Sequence, residues 1–181
     1  MKKPVYSRVW FVAIALLVLS NSLFAQSPVI PIDFESNAID YRFTNFYGGA
    51  TTKIANPQVS GINKSTNVGK MVKGDGKEWA GSYILLASPI DFSVSKTVKV
   101  KVFMPRVGAK LLLKVENATD QSIYYEQEAA ATTANAWEEL TYDFSDIDVN
   151  KQYQKLVIIF DLGTLGDGSA NYTYLFDDIT Q

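Results

Sequence analysis

The chain contains no cysteine and no histidine among its 181 residues. Without these side chains the protein cannot build a Ser-His-Asp or Cys-His triad, a histidine general base, or the sites that usually bind zinc and copper. Disulfides and a lipid-anchoring cysteine are excluded for the same reason. What remains for chemistry is a set of carboxylates, tyrosine or lysine bases, and oxygen ligands for hard cations such as calcium.

Long hydrophobic runs are also scarce. One uninterrupted apolar run, residues 9–19, follows Lys2, Lys3 and Arg8, and small polar residues then lead to Ala25. The run is shorter than the roughly 20 apolar residues of a membrane-spanning helix, and its layout is that of a secretory signal. We therefore expect a signal peptide over 1–25 and one domain over 26–181 of a secreted or periplasmic protein, with a short N-terminal anchor as the alternative. The lack of disulfides fits a bacterial source.

Positive charge is in short supply beyond the predicted signal. The signal holds three of the 17 lysine and arginine residues and none of the 19 acidic ones, which leaves 14 positive against 19 negative side chains. An acidic exported protein has no electrostatic reason to bind nucleic acid or an anionic membrane. We predict neither as a partner.

Helical periodicity is absent beyond the signal, and short apolar blocks alternate with turn residues. Val98 to Phe103 alternates with lysines on one face, and Leu111 to Val115 follows a turn, so 97–116 predicts a hairpin. Leu156 to Phe160 predicts a strand buried on both faces, and Glu126 to Ala136 predicts strand and loop despite its alanines. Further strands are predicted near 29–34, 43–53, 67–73, 81–87, 123–126, 137–144 and 172–179. This pattern indicates an all-β, two-sheet antiparallel β-sandwich of the jelly-roll kind.

Exposed aromatic residues are the strongest functional signal. Trp79 lies among turn residues just before a strand, a position from which its ring can stack against the flat face of a sugar. Lys77, Glu78 and Asn63 supply polar groups for sugar hydroxyls. The alternative is that Trp79 fills the core beneath a loop.

Two further aromatic positions differ in their predicted roles. Trp137 begins an alternating strand and is assigned to the core. Tyr124 and Tyr125 point to opposite faces of one strand, so one ring is exposed, and Tyr125 is assigned to the binding surface.

Carboxylate pairs allow a glycosidase alternative. Glycosidases need two carboxyl groups about 5–9.5 Å apart, and Glu126 and Glu128 share one face of a predicted strand. The Glu-x-Asp-x-x-Glu run of sandwich-fold glucanases is missing. We therefore interpret the pair as solvated surface carboxylates and predict no catalytic residue.

Acidic residues at both ends of the domain indicate a calcium site. Asp33 and Glu35 accompany the first predicted strand, and Asp177 and Asp178 lie in the last. If the terminal strands pair, carboxylates and backbone carbonyls can surround a Ca²⁺ ion. The alternative is that they are exposed charges protecting edge strands from aggregation.

Several segments together resemble a known family. They are Asn56-Pro57 through Ser60-Gly61-Ile62-Asn63-Lys64-Ser65, Val68-Gly69-Lys70-Met71-Val72-Lys73, Trp79-Ala80-Gly81-Ser82, Pro89-Ile90-Asp91-Phe92-Ser93, the Lys-Val-Phe-Met-Pro strand, and the final Phe-Asp-Asp-Ile. In this order they resemble the galactose-binding-like, jelly-roll carbohydrate-binding modules of bacteria that degrade polysaccharides, of the type associated with laminarinases. The resemblance covers nearly all of residues 30–181.

The resemblance implies a non-catalytic β-sandwich with a structural calcium ion, for which Glu35 and Asp178 match best and Asp33 is the second candidate. It implies a binding surface with exposed aromatics, matched by Trp79, and a polysaccharide ligand, foremost a β-glucan such as laminarin. No catalytic domain accompanies the module in this sequence, so it acts beside a partner glycoside hydrolase or captures glycan by itself. A structural or adhesive protein-binding sandwich is the remaining alternative, because fold analogy alone does not fix function.

Overall fold

The structure is a computed structural model that describes residues 25–181. Apart from Ala25, the predicted signal peptide therefore lies outside the described residues. Within residues 25–181, no helix is long and apolar enough to cross a membrane.

Among residues 25–181, ten strands form two antiparallel sheets that pack face to face, and one short 3₁₀ helix, Ala170–Tyr172, precedes the last strand. The strands are β1 (Thr44–Phe46), β2 (Gly49–Ala55), β3 (Asn67–Lys73), β4 (Gly81–Leu85), β5 (Thr97–Phe103), β6 (Lys110–Glu116), β7 (Tyr124–Ala130), β8 (Trp137–Asp143), β9 (Lys155–Phe160) and β10 (Thr173–Thr180). The first sheet has the order β1-β4-β9-β6-β7, and the second has the order β2-β3-β10-β5-β8. The predicted two-sheet sandwich is confirmed.

The core lies between the two sheets, where the alternation of the strands places it. Val98, Val100 and Val102 of β5 are fully buried while Lys99 and Lys101 point outward, as the sequence predicts. Strand β9 is buried along its whole length, which confirms the two-sided burial predicted for Leu156 to Phe160. Such a strand belongs in the middle of a sheet, and β9 pairs with β4 and β6.

The predicted hairpin over 97–116 is wrong. Strand β5 pairs with β10 and β8 in the second sheet, whereas β6 pairs with β7 and β9 in the first. The turn after Met104 carries the chain across the sandwich, so the apolar faces of β5 and β6 both point into the core from opposite sides. Alternation shows which face of a strand is buried, but it does not show to which sheet the strand belongs.

Two further strand predictions need correction near the start of the domain. Residues 29–34 form an isolated bridge, Ile32 with Ile179, and no extended strand. The predicted strand 43–53 divides into β1 and β2, because Tyr47 (φ 52°) and Gly48 (φ 102°) adopt a left-handed turn that sends the chain from one sheet to the other.

Candidate functional site

A groove runs across the outer face of the first sheet, on the side away from the core. Its floor is formed by Leu112 of β6 and by Val157 and Ile159 of β9. These residues point away from the sandwich interior, yet their exposures are 6%, 5% and 9%. Neighbouring walls therefore overhang the floor, and the groove has a volume of about 570 Å³.

Aromatic side chains make one wall of the groove. Phe46, Tyr47, Trp79 and Tyr83 all line it. The rings of Tyr47 and Trp79 meet edge to face, with centroids 5.9 Å apart and planes at 74°. Trp79 is 47% exposed and Tyr47 is 61% exposed. We call Tyr47 and Trp79 together the aromatic platform.

The loop that carries Trp79 lies directly on the turn that carries Tyr47. The Lys77 N–H donates to the Tyr47 carbonyl at 2.9 Å, and the Gly74 N–H donates to the Gly48 carbonyl at 2.8 Å. A Cβ atom at Gly76 would lie 2.0 Å from the Tyr47 carbonyl oxygen. Only glycine permits this approach, so Gly76 lets the two turns that carry these rings pack against each other.

A charged network forms another part of the groove lining. Glu116 accepts a hydrogen bond from Lys155 at 2.8 Å and lies 2.9 Å from the Lys114 ammonium, which is also 3.8 Å from Glu126. Burial acts to raise the pKa of Glu116, but the hydrogen bonds from Lys155 and Lys114 outweigh it and hold that pKa below its ordinary value. Glu116 is therefore ionised at neutral pH, and the two lysines are balanced by two carboxylates.

The same lysines cover two tyrosine rings. The Lys155 ammonium lies 5.0 Å from the centre of the Tyr83 ring, and the Lys114 ammonium lies 4.0 Å from that of Tyr124. The covered faces of these rings are not free to stack against a ligand. The aromatic platform is thus the stacking surface that the groove offers, and the charged network offers hydrogen-bond donors and acceptors.

Three predicted site residues lie together on the loop before β4. Trp79 lines the groove, and its exposure excludes the alternative in which it fills the core. Lys77 and Glu78 are exposed on the same loop, but they do not form part of the groove walls. A role for these two side chains in ligand contact stays a prediction.

Asn63 and Tyr125 lie elsewhere, which corrects their assignment to the surface around Trp79. Asn63 is fully buried and donates to Asp177 at 2.8 Å on the outer side of the second sheet, away from the groove. Tyr125 packs inward against Phe144, with ring centroids 5.2 Å apart. Tyr124 is the exposed member of the pair, because β7 buries the face on which Tyr125 lies.

Trp137 is buried, as predicted, although outside the space between the sheets. It packs with Val68 and Leu175 on the outer face of the second sheet, and its indole N–H donates to the Gln58 carbonyl at 2.6 Å. The loop of residues 56–66 thus covers this face of the second sheet.

Most of the groove was not visible in the sequence. Val157 and Ile159 belong to a continuous apolar block, so nothing distinguishes the residues that face the core from those that form the groove floor. Lys114, Glu116 and Lys155 look like ordinary solvent-facing charges until β6 and β9 are known to be neighbours. One available signal was Tyr47 followed by two glycines, a combination typical of an exposed ring on a tight turn.

The carboxylates of the glycosidase alternative share a face of β7, as predicted, and both are paired with lysines. Glu128 lies 2.6 Å from Lys110, and Glu126 lies 3.8 Å from Lys114. Both side chains are exposed to solvent and neither lies in apolar surroundings.

The three predicted calcium ligands each have a protein partner. Asp33 accepts hydrogen bonds from the Glu35 N–H and the Tyr41 hydroxyl, Glu35 accepts from the Asn67 N–H, and Asp178 pairs with Lys101 at 2.7 Å. In the part of the chain that the structure describes, no three carboxylates come together as a metal-binding group.

Asp177 differs from these three residues, because one of its carboxylate oxygens has no partner among the described residues. Its carboxylate is fully buried, Oδ2 accepts from Asn63, and Oδ1 has no hydrogen-bond partner among the described residues. Burial raises the pKa of Asp177 to about 6. A buried carboxylate oxygen without a donor is costly.

Solved structures share this fold at low sequence identity. An exo-β-agarase matches with a TM-score of 0.58 and 9% identity over 82% of this chain, which spans 24% of the agarase chain. The family 11 carbohydrate-binding module of the cellulosomal cellulase Lic26A-Cel5E of Clostridium thermocellum matches with a TM-score of 0.56 and 12% identity over 86% of this chain and 94% of its own.

A second structure of a family 11 module from Clostridium thermocellum, in complex with a β-1,3-1,4-mixed-linked tetrasaccharide, matches with a TM-score of 0.51 and 9% identity over 76% of this chain and 85% of its own. No family model matches the sequence, and neither does any curated protein. At these identities the likeness concerns the fold. The chain has the antiparallel β-sandwich fold that carbohydrate-binding modules share.

Proposed function

We propose that the protein is a non-catalytic module that binds a polysaccharide in the groove of the first sheet. The observation that carries this proposal is the aromatic platform beside a long, partly apolar groove that contains paired charges. A sugar ring stacks its C–H face on Trp79, and neighbouring rings lie along the floor. The charged side chains of the groove, Lys114, Glu116, Glu126 and Lys155, contact the hydroxyl groups.

We propose a neutral β-glucan, such as laminarin or a mixed-linkage glucan, as the ligand class. The two groove lysines are balanced by Glu116 and Glu126, so the groove has no excess positive charge for a polyanionic chain. The solved family 11 module in complex with a β-1,3-1,4-mixed-linked tetrasaccharide, which shares the fold, supports this choice.

Catalysis is not part of the proposal, because the groove has no carboxyl group suited to donate a proton. Glu116 is held ionised by two ammonium groups, and Glu126 is exposed beside Lys114. Glycosidic bond cleavage needs one carboxyl group with a raised pKa beside a second carboxylate.

We also propose that the protein is exported, that it acts beside a partner glycoside hydrolase and that it binds a structural calcium ion. Residues 1–25 carry the sequence pattern of a secretory signal. For calcium, the support is the Asp177 oxygen that has no hydrogen-bond partner among the described residues.

Native gels that contain laminarin, mixed-linkage glucan, xylan, mannan or alginate test the proposal. The protein lacking residues 1–25 should be retarded by one or both β-glucans and should release no new reducing ends from them. The absence of retardation in every gel would contradict the proposed function and favour a protein-binding sandwich.

A further inference from the structure

Lys73 is a fully buried lysine at the end of β3, pointing inward between the two sheets. Its ammonium group donates to three backbone carbonyls, those of Glu78 at 2.8 Å, Phe160 at 2.8 Å and Asp161 at 2.7 Å. Burial lowers the pKa of Lys73, which shows that the site disfavours its charge. A methionine would fill this space without a buried charge, but it would remove the donor from all three carbonyls.

The three carbonyls belong to the two segments that flank the groove. Glu78 directly precedes Trp79, and Asp161 directly precedes Leu162; both Trp79 and Leu162 line the groove. The Glu78 carbonyl also accepts a hydrogen bond from Gly163, at 3.2 Å. The ammonium of Lys73 therefore joins the second sheet, the end of β9 and the Trp79 loop at one point.

The turn at Asp161 has further side-chain supports, whereas the Glu78 end of the Trp79 loop is held to the sandwich mainly by Lys73. The Asp161 carboxylate accepts hydrogen bonds from Arg106, from the Tyr174 hydroxyl and from the Lys110 N–H. The Glu78 carbonyl has only the Lys73 ammonium and the longer bond from Gly163 to hold it to the sandwich. Loss of the ammonium would thus loosen the loop at Glu78 and Trp79, while the turn at Asp161 and the backbone bonds to the Tyr47 turn remain in place.

We propose that Lys73 is the positioning residue of the aromatic platform. It holds Glu78, and thereby Trp79, against the first sheet, and the backbone bond from Lys77 carries this order to Tyr47. A platform that is fixed before binding loses less conformational freedom when the ligand arrives, so Lys73 contributes to affinity without touching the glycan. This inference rests on the proposed function for its effect on binding.

The ring of Trp79 can be observed without any ligand. The protein without residues 1–25 contains two tryptophans, Trp79 and Trp137, so 5-fluorotryptophan labelling gives two ¹⁹F resonances that Trp79→Phe assigns. In Lys73→Met, the Trp79 resonance should shift and narrow toward that of a mobile indole while the Trp137 resonance stays unchanged. Lys70→Met, on the outward face of the same strand, is the matched control and should leave both resonances in place.

Affinity provides the second readout. Binding to mixed-linkage β-glucan should weaken about tenfold in Lys73→Met and stay unchanged in Lys70→Met. An unshifted Trp79 resonance in folded Lys73→Met would overturn the positioning role. If the wild-type protein binds no glycan but the resonance shifts, the proposed function fails while the positioning role stands.

A chemical rescue guards against a variant that fails to fold. Because the chain has no cysteine, Lys73→Cys carries a single thiol that can be alkylated in denaturant before refolding. Bromoethylamine restores an ammonium at the end of a lysine-length side chain, and bromopropane supplies the same length without charge. Recovery of the wild-type Trp79 resonance with the ammonium alone supports the proposal, and equal behaviour of the two products would overturn it.

Discussion

The rings of Trp79 and Tyr47 meet edge to face, with centroids 5.9 Å apart, in the wall of a groove whose floor is apolar. The two residues come from different turns, and a glycine at position 76 lets those turns touch. This contact makes an exposed aromatic pair into a rigid surface. It is the feature from which the proposed glycan binding follows.

Tyr47 should contribute to binding through its ring and not through its hydroxyl group. Tyr47→Ala should weaken binding to mixed-linkage glucan roughly tenfold, because loss of an aromatic contact costs about 1–1.5 kcal/mol. Tyr47→Phe keeps the ring and should bind as the wild type does. Isothermal titration calorimetry measures both, and equal losses in the two variants would show that the hydroxyl group carries the contact.

Glu116 should stabilise the fold by neutralising two lysines. Glu116→Gln leaves Lys155 and Lys114 without their shared carboxylate, so the free energy of unfolding should fall by about 2–3 kcal/mol. Glu128→Gln removes an exposed partner of Lys110 and should cost less than about 1 kcal/mol. Urea denaturation compares the two variants, which have the same net charge, and equal losses would contradict the difference in burial.

The same pair of variants tests why the ligand is predicted to be neutral. Glu116→Gln leaves the groove with an excess of positive charge and should gain retardation in gels that contain alginate, a polyuronate. Glu128→Gln has the same overall charge change outside the groove and should not. Retardation of the wild-type protein by alginate would contradict the balance of charge within the groove.

Stability should respond to pH through Asp177 in the opposite sense from most carboxylates. Its folded pKa of about 6 lies above the ordinary value of 3.8, so the folded protein binds a proton that the unfolded chain releases. Without calcium, the contribution of Asp177 is present below pH 3.8 and is lost as pH rises through about 6. The difference in unfolding free energy between the wild type and Asp177→Asn should therefore change over this window. A difference that is independent of pH would contradict the raised pKa.

Bound calcium should restore the stability that the protein loses when Asp177 ionises, because the ion binds the ionised carboxylate. At pH 7, EGTA should lower the melting temperature of the wild type by several degrees, and added calcium should restore it. Asp177→Asn should not respond to either. If EGTA leaves the melting temperature of the wild type unchanged, no structural calcium is bound.

The sequence predicted which faces of the strands are buried better than it predicted which strands pair with each other. The alternation of β5 and the apolar block of β9 are local signals, and both predictions are confirmed. The hairpin over 97–116 failed because pairing is decided by contacts across the core, which a local pattern does not contain.

The same distinction explains the outcome for the site. The exposure of Trp79 could be predicted because the turn residues beside it in the sequence are a local signal. Asn63 also lies in a polar loop, but its partner Asp177 is 114 positions away, so its burial was not predictable locally. Tyr124 and Tyr125 alternate as expected, and only the packing of β7 against Phe144 decides which ring is inside.

The most direct test of glycan binding in the groove is the affinity of the wild type and of Trp79→Ala for mixed-linkage β-glucan, measured side by side by calorimetry. Glycan binding on the aromatic platform predicts measurable affinity for the wild type and a loss of more than about tenfold in the variant, with near-ultraviolet circular dichroism showing that the variant is folded. Equal affinity of the two proteins, or no binding by the wild type, would contradict it.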